Sequence, residues 1–354
     1  MTSDVTNAAY RRPHDKDREI QMQALRGRVA VVAGATRGAG RGIATALGAA
    51  GAIVYCSGRS TRAGGATSGR PETIEETAEL VTRAGGQGIA QRTDHTVEAD
   101  VEALFARVRA EQGRLDILVN DVWGGDELTE FGKPFWELAT PKGFTMLDRA
   151  VRAHIITSRH GAPLMIERNS GLIVEITDGD KIGYRGNLFY DLAKTTAIRL
   201  AFAMAHDLGE RAITALAVTP GFLRSEAMLD RFGVTEANWR DAIADDPFFA
   251  ESETPLYVGR AVAALAADPR VHAKRGKVWA SWTLMREYGF TDADGRQPDW
   301  GSFFTGKIGE LVGRGSPYTE FERFLIRARA LDIELEHGLA DEHWRLQALL
   351  ARTA

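Results

Sequence analysis

One stretch decides the fold of this sequence: Val29-Ala30-Val31-Val32-Ala33-Gly34-Ala35-Thr36-Arg37-Gly38-Ala39-Gly40-Arg41-Gly42-Ile43-Ala44. An apolar, β-branched run leads into a glycine-rich turn and then into a segment of helix-forming composition, which predicts strand, loop and helix. Its glycines permit a tight turn and close approach of a ligand, and the following helix offers free N–H groups and a positive dipole end. The stretch predicts a site for a dinucleotide pyrophosphate, with a plain structural turn as the alternative.

Composition narrows the class of protein. The chain has 354 residues, 44% of them hydrophobic and 26% charged, and a net charge of -4, which gives no reason to expect a nucleic-acid partner. Its single cysteine, Cys56, excludes an intramolecular disulfide and fits a reducing compartment. No apolar run reaches membrane-spanning length and no signal-peptide core begins the chain, so we expect a cytoplasmic protein with no membrane partner.

A second strand, Ala52-Ile53-Val54-Tyr55-Cys56, follows the first after one helix, which makes a βαβ unit with a parallel sheet. The residues after this strand bear on the cofactor, since an acid there binds the ribose of NAD and a basic residue accommodates the 2′-phosphate of NADP. The chain has Ser57-Gly58-Arg59-Ser60-Thr61-Arg62 and no acid before Glu72, and Arg37 adds a second positive charge. NADP(H) is therefore favoured over NAD(H); solvated loop arginines are the alternative.

Tyr190 and Lys194 lie four residues apart in a segment with helical spacing, so their side chains share one helix face. The ordinary pKa of tyrosine is ~10, and a neighbouring lysine charge favours the phenolate and moves that pKa toward neutrality. The pair thus has the composition of a proton-transfer site.

The glycine spacing Gly34-x-x-x-Gly38-x-Gly40, the Tyr190-x-x-x-Lys194 pair and Pro220-Gly221 together resemble the short-chain dehydrogenase/reductase family over residues 26 to 285. The resemblance implies a doubly wound, mostly seven-stranded parallel sheet of Rossmann-like α/β class in one domain. It also implies a flap at about 222–254. The polar, aperiodic residues 1–25 predict an N-terminal arm, and the chain continues beyond the resemblance as a helical extension at 286–354.

The resemblance also implies site residues. Asp94 matches a position that meets adenine, although a helix N-cap is a second reading, and Asn120 matches the first residue of the family's Asn-Asn-Ala-Gly pattern, from which the next three residues depart. Trp123, Trp136 and Phe222 are expected to border the substrate. The expected cofactor-binding set is Gly34, Thr36, Arg37, Gly38, Ala39, Gly40, Arg59, Ser60, Arg62, Asp94, His95, Asn120, Tyr190, Lys194, Pro220, Gly221, Leu223 and Ser225.

In the family Tyr is the general acid and base, Lys holds the nicotinamide ribose, and a serine orients the substrate carbonyl. The serine's place falls on Thr177 or Asp178, because loop length does not decide between them, and Ala150 stands where the family has an asparagine. A carboxylate cannot donate a hydrogen bond and raises the pKa of a neighbouring tyrosine. Either Thr177 supplies the hydroxyl, which we favour, or a dry pocket keeps Asp178 protonated, or the protein is weak or inactive.

The sequence thus predicts an NADP(H)-dependent oxidoreductase, catalytic through Tyr190, Lys194 and Thr177 or Asp178, that interconverts a small-molecule ketone and a secondary alcohol. A nucleotide-binding protein with little turnover is the alternative, and epimerisation or dehydration on a retained cofactor is a weaker one. No metal site is expected. Amphipathic helices at 320–337 and 341–352 pack on the same subunit or across a homo-oligomer interface, and we expect a homo-oligomer.

Overall fold

A parallel sheet forms the centre of the molecule in the computed structural model, which describes residues 23–65, 67–180, 184–304 and 306. The described strands number seven, lie in the order β3-β2-β1-β4-β5-β6-β7, and pair in parallel throughout. The strands are β1 (Val29–Ala33), β2 (Ile53–Gly58), β3 (Gln87–Arg92), β4 (Ile117–Asn120), β5 (Gly171–Ile176), β6 (Ile213–Thr219) and β7 (Val278–Ala280). The predicted doubly wound, seven-stranded fold is confirmed.

Helices cover both faces of this sheet. Alternate side chains of β1 enter two different cores, Ala30 and Val32 on one face and Val29 and Val31 on the other. Both faces are buried, which is why the strand reads as a continuous apolar run. The helices are α1 (Gly38–Ala49), α2 (Ile74–Arg83), α3 (Glu98–Gln112), α4 (Thr140–Leu147), α5 (Ala153–Ile166), α6 (Leu188–Leu208), α7 (Glu226–Arg231), α8 (Pro255–Ala267) and α9 (Ser281–Tyr288).

The strand order reverses between β1 and β4, and this reversal positions the site. Ala33 at the end of β1 pairs with Asn120 at the end of β4, and the Asp121 N–H continues the pairing by donating to the Ala33 carbonyl at 2.9 Å. In open parallel sheets a crevice opens at such a switch point, beyond the carboxyl ends of the strands. The glycine loop and the loop after β4 therefore face each other across one cleft.

The helical segment that contains Ala150 is not uniform. Helices α4 and α5 are joined by a π-helical turn, Asp148–Arg152, and Ala150 is buried within that turn. The residue packs in a small apolar cluster with Phe189 and Ala193 of α6. The position where the resemblance expects an asparagine is thus part of the apolar contact between these helices.

Beyond β7, the described part of the C-terminal segment packs on the domain. The Tyr257 hydroxyl donates to the Pro298 carbonyl at 2.9 Å, and Trp300 stacks on Phe304 and contacts Phe222. Of the expected arm at 1–25, residues 1–22 lie outside the described residues and Leu25 is buried in the core, and the helices expected at 320–337 and 341–352 also lie outside the described residues. Within the described residues, no helix combines the length and apolar character that crossing a bilayer requires.

Helices α1 and α8 touch through glycines, which gives a stability prediction. A Cβ at Gly42 would overlap the Pro255 carbonyl. Alanine normally favours a helix over glycine by up to about 1 kcal/mol, but overpacking costs about 1–3 kcal/mol. We expect Gly42→Ala to lower the melting temperature by several degrees in a thermal scan, whereas Gly306→Ala, where the added Cβ meets open space, leaves it unchanged. An unchanged melting temperature for Gly42→Ala would contradict the observed helix contact.

Candidate functional site

The glycine loop lies directly on the loop that follows β4. Gly34 has φ +89°, and a Cβ there would overlap the Asp121 carbonyl. A Cβ at Gly40 would lie 2.8 Å from the Asp121 carboxylate, which instead accepts the Gly40 N–H. Glycine is therefore required at position 34 because the backbones of the two loops are in contact, and at position 40 because the Gly34 carbonyl and the Asp121 carboxylate leave no space for a Cβ. Ala39, also in the predicted set, faces the core.

At the start of α1 the Gly38 N–H faces the cleft, where a carboxylate accepts its hydrogen bond. The N–H donates to Glu226 Oε2 at 2.8 Å, and the other oxygen of Glu226 lies 4.0 Å from Arg41 Nε. The carboxylate oxygens stand in for phosphate oxygens at this helix terminus, where unpaired N–H groups and the dipole favour an anion. The glycine loop therefore fits a dinucleotide pyrophosphate.

Arg37 and Ser60 meet beside the loop. The Arg37 guanidinium lies 3.5 Å from the hydroxyl of buried Ser60 and 3.6 Å from Glu72, while its Nε has no hydrogen-bond partner among the described residues. Arg70 also binds Glu72, at 3.0 Å. Glu72, the first acid after β2 in the sequence, thus lies in this pocket between Arg37 and Arg70. Thr36, another predicted residue, is buried beside Gly58.

Arg59 and Asp94 lie together at the ends of β2 and β3. Their charged atoms are 4.0 Å apart, and Arg59 reaches toward Gly124. Burial alone would raise the pKa of Asp94, but hydrogen bonds from Thr96 and the Arg59 charge outweigh it and lower that pKa. Asp94 accepts the Thr96 N–H in a turn ahead of α3, whose N-cap residue is Val97, so the N-cap reading of Asp94 is wrong, while the carboxylate lies beside Arg59.

Two predicted cofactor residues lie apart from this group. Arg62 extends over α2 and forms a bidentate pair with Glu79, in the exposed outer surface. His95 is enclosed between Ser57 and Thr157, at 2.9 and 2.8 Å, and burial lowers the pKa of its imidazole to about 3. A neutral imidazole fixed by two hydroxyls is a structural element of the sheet edge.

The turn after β5 settles which side chain faces Tyr190. The Tyr190 hydroxyl donates to Asp178 Oδ2 at 2.8 Å, whereas the Thr177 hydroxyl donates to the Lys194 backbone carbonyl at 2.7 Å. The sequence favoured Thr177 for this position. In the structure, however, the Thr177 hydroxyl is bonded to α6 and the Asp178 carboxylate faces the phenol. Burial raises the pKa of Tyr190 well above its ordinary value, and the Asp178 charge and hydrogen bond raise it further.

Lys194 lies one turn along α6 from Tyr190, among aromatic and acidic groups. Its Nζ is 4.0 Å from the ring centre of Trp123 and 5.6 Å from that of Tyr190. Burial lowers the pKa of Lys194, although Asp178, Asp121 and Asp126 act in the opposite direction. Burial also raises the pKa of Asp121 to about 7, against the charge of Lys194. The spacing prediction that Tyr190 and Lys194 share one face agrees with this geometry.

A buried polar network supports the floor of the cleft. Asn120 Nδ2 donates to Ser158 at 2.8 Å and to Glu175 at 2.6 Å, while its Oδ1 has no partner among the described residues. His154 Nδ1 contacts Glu175 at 2.6 Å, and its Nε2 contacts the Val122 carbonyl at 3.0 Å. Since both ring nitrogens face acceptors, both carry protons. Burial opposes this charge, but Glu175 raises the pKa of His154 overall.

The Pro220–Gly221 loop is held by a buried acid. Glu253 Oε2 accepts the Gly221 N–H at 2.9 Å and the Ser281 hydroxyl at 2.6 Å, while Oε1 has no partner among the described residues. Burial raises the pKa of Glu253 to about 8. Leu223 pairs with Glu253 by a backbone bridge, and Ser225 caps α7 by accepting the Met228 N–H. The hydroxyl expected to meet the cofactor is thus used by the flap helix.

Of the three residues expected to border the substrate, only one lies beside Tyr190. Trp123 contacts Tyr190 edge to face at 5.5 Å, whereas Phe222 packs against Phe249 and Trp300. Trp136 is 72% exposed and meets Phe135, whereas Phe131, from the same aromatic-rich connection, contacts Tyr190 at 5.6 Å. The described residues contain no group of three or more His, Cys, Asp or Glu side chains that could hold a metal ion.

Several site groups were missed by sequence reasoning. Glu226 at the start of α7, Arg185 ahead of α6 and Asp126 after β4 stand at positions that no periodicity marks. Glu175 and His154 did carry a signal: each interrupts an otherwise apolar buried segment, and an acid and a base that do so suggest a buried pair.

This fold and cleft define a dinucleotide-binding α/β protein with a Tyr–Lys pair at the switch point. The family model described as short chain dehydrogenase matches residues 28–232. The chain is 35% identical over 277 residues to dehydrogenase/reductase SDR family member 1 of Mus musculus, covering 77% of this chain and 85% of that protein. It is 31% identical over 211 residues to 7alpha-hydroxysteroid dehydrogenase of Escherichia coli, covering 58% and 74%.

Among solved structures, a crystal structure of hydroxysteroid dehydrogenase from Escherichia coli aligns with a TM-score of 0.59 at 25% identity, covering 73% of this chain and 96% of that one. The chain belongs to the short-chain dehydrogenase family. It is therefore a member of a family of oxidoreductases that use nicotinamide cofactors and act on small molecules.

The Glu226 contact gives a prediction about cofactor affinity. A pyrophosphate must displace this carboxylate from the Gly38 N–H, so neutralising the side chain removes a competing anion. We expect Glu226→Gln to lower the dissociation constant for a nicotinamide dinucleotide about threefold to tenfold, measured by fluorescence titration. Glu127→Gln, a change in a different loop, is the control. Unchanged or weaker binding in Glu226→Gln would show that the carboxylate does not compete.

Proposed function

We propose that this chain is an NADP(H)-dependent oxidoreductase that interconverts a ketone and a secondary alcohol, with Tyr190 as general acid and base. The observation that carries the proposal is Asp121, which joins the two halves of the cleft: it accepts the Gly40 N–H of the glycine loop, and its charge acts on Lys194 beside Tyr190. An anion-binding helix terminus and a proton-transfer pair thus belong to one site.

In this proposal the described residues bind the cofactor in four places. The N-terminus of α1, through Gly38, holds the pyrophosphate, and Arg37 and Arg59 hold the 2′-phosphate of NADP. The bound cofactor supplies or accepts a hydride at its nicotinamide ring. Lys194 binds the nicotinamide ribose, and the backbone from Gly221 to Leu223 borders the carboxamide, held in place by the buried carboxyl of Glu253.

Asp178 acts on the proton chemistry through Tyr190. Because the pKa of Tyr190 is raised by burial and by Asp178, the phenol holds its proton at neutral pH. A protonated phenol is the form that donates to a reduced carbonyl, whereas alcohol oxidation needs the phenolate. The arrangement therefore favours reduction over oxidation.

A nucleotide-binding protein with little turnover is the second candidate. It is favoured by the same contact, because the Tyr190 proton is already donated to Asp178, and by the apolar burial of Ala150. The two functions differ in one readout: the second binds NADPH without oxidising it against a panel of ketones.

We also propose that the protein is a cytoplasmic homo-oligomer. Large apolar side chains are exposed on α4, α5 and α6, namely Phe144, Ile155, Leu192 and Phe202, and contact with a second copy would bury them. The buried free thiol of Cys56 fits a reducing compartment.

The proposed preference for NADP(H) can be tested with three arginine variants. We expect Arg37→Gln and Arg59→Gln each to weaken NADPH binding about tenfold while changing NADH binding less than twofold, because only NADPH carries the 2′-phosphate. Arg62→Gln serves as the control, since its guanidinium is paired with Glu79 on the outer face of α2. Equal loss for both cofactors, or a loss in Arg62→Gln of the same size, would contradict the assignment.

The role of Tyr190 is tested by removing its hydroxyl alone. We expect Tyr190→Phe to lower NADPH-dependent ketone reduction at least a hundredfold, the range of general acid catalysis, with little change in NADPH affinity. Tyr184→Phe, the same change at an exposed tyrosine, and Thr177→Ala, whose hydroxyl serves a helix carbonyl, stay within about threefold of the wild-type rate. Loss of rate in Thr177→Ala with retention in Tyr190→Phe would overturn these roles.

A further inference from the structure

The charges around Tyr190 are unusual for a pocket that receives a neutral carbonyl. Asp178 follows β5, Asp121 and Asp126 follow β4, and all three act electrostatically on Lys194. Asp126 also accepts the Trp123 indole N–H at 2.6 Å, which fixes its carboxylate at the mouth. Acidic groups therefore face the pocket from two strand ends.

The described cationic side chains near Tyr190 form hydrogen bonds or ion pairs with neighbouring groups. Arg185, buried ahead of α6, bonds to Asp191 at 3.1 Å, to Thr195 at 3.0 Å and to the Asp178 backbone carbonyl at 2.5 Å. Arg149 donates to the Gly124 carbonyl, on the side of Arg59. Lys194 stands against Asp178, Asp126 and the partly protonated Asp121, so the described groups leave an excess of negative charge beside the phenol.

Aromatic surfaces accompany this charge. Trp123 and Phe131 both meet Tyr190 edge to face, and the Lys194 ammonium already lies over the Trp123 ring at 4.0 Å. An aromatic face attracts a cation, and nearby carboxylates strengthen that attraction. The mouth thus has the chemistry that recognises an organic cation carried on an apolar ring.

We propose that this pocket also accepts, and reduces, a protonated or N-alkylated C=N bond, an iminium cation whose charge Asp178 and Asp126 recognise. The proposal rests on the proposed function for hydride delivery and extends it to a different bond. It concerns the side of the cleft that the substrate occupies, whereas the glycine loop and the arginines serve the cofactor.

The reaction balances without a proton donor. A C–H bond forms between the iminium carbon and the hydride of the reduced cofactor, and the C=N π electrons become the nitrogen lone pair. The iminium is reduced to an amine and the cofactor is oxidised, so one positive charge is present before and after. Reduction of a carbonyl instead builds an oxyanion beside Asp178, while the Tyr190 proton is already donated to that carboxylate.

The first experiment measures binding in the absence of turnover. Isothermal titration of the cofactor-free protein compares N-methyl-3,4-dihydroisoquinolinium with 1-tetralone, a neutral ketone on a bicyclic ring of the same size. We expect the cation to bind at least tenfold more tightly than the ketone, with the difference shrinking at high salt. Asp178→Ser and Asp178→Asn each lower the affinity for the cation at least fivefold. Asp148→Asn, at an acid paired with Arg152 outside the pocket, does not.

The second experiment follows NADPH oxidation with the same two compounds, corrected for the reaction without protein. The wild type reduces the iminium faster than the ketone, and Asp178→Ser, which replaces a carboxylate with a hydrogen-bond donor, reverses that preference. Circular dichroism confirms that the variants are folded.

The outcomes separate the two claims. Equal affinity for cation and ketone, or no loss in either Asp178 variant, overturns the iminium proposal even where the wild type reduces the ketone and the proposed function stands. Binding of NADPH with reduction of neither compound overturns the proposed function, and with it the assignment of the iminium as a substrate.

Discussion

The backbone contact between the glycine loop and the loop after β4 is the constraint on which the site depends. Gly34 and Gly40 leave no room for side chains because Asp121 occupies that space, and the Asp121 N–H extends the β1–β4 pairing. Through the side chain of Asp121, the contact joins the N-terminus of α1 to the face of α6 that carries Tyr190 and Lys194. Any change that separates these two loops moves the N-terminus of α1 relative to Tyr190.

Beneath that contact, a buried ion pair positions the loop that carries Trp123. His154 is held between Glu175 and the Val122 carbonyl, and it bonds to both only as an imidazolium. Buried pairs contribute little net stability because desolvation offsets their attraction, so the effect of this one lies in geometry. Because the pKa of His154 is raised, the clamp is complete at low pH and is lost as the pH rises through that value. Within this buried network, His154 thus lies about one turn beyond the apolar Ala150.

Local patterns in the sequence predicted the fold well, because a buried parallel strand followed by a helix leaves a continuous apolar run and a glycine turn. They also placed Tyr190 and Lys194 on one face, since helical spacing alone requires it. They could not choose between Thr177 and Asp178, because successive residues of an extended segment point to opposite sides and the path of the turn decides which one meets the phenol. Glu226 reaches Gly38 across 188 residues, and no local pattern encodes that contact.

Carboxylates thus stand at both ends of the cleft, but they differ in how firmly they are held. Glu226 lies on the six-residue helix α7, with its side chain 27% exposed and one short hydrogen bond to Gly38, so an incoming anion displaces it. Asp178 is fixed through its backbone by Arg185 and through its carboxylate by Tyr190. In the proposed function, Glu226 therefore adjusts how tightly an anionic cofactor binds. Asp178, in the same proposal, stays beside Tyr190 when a substrate is bound. The charge of the bond that reacts must therefore be compatible with a neighbouring carboxylate.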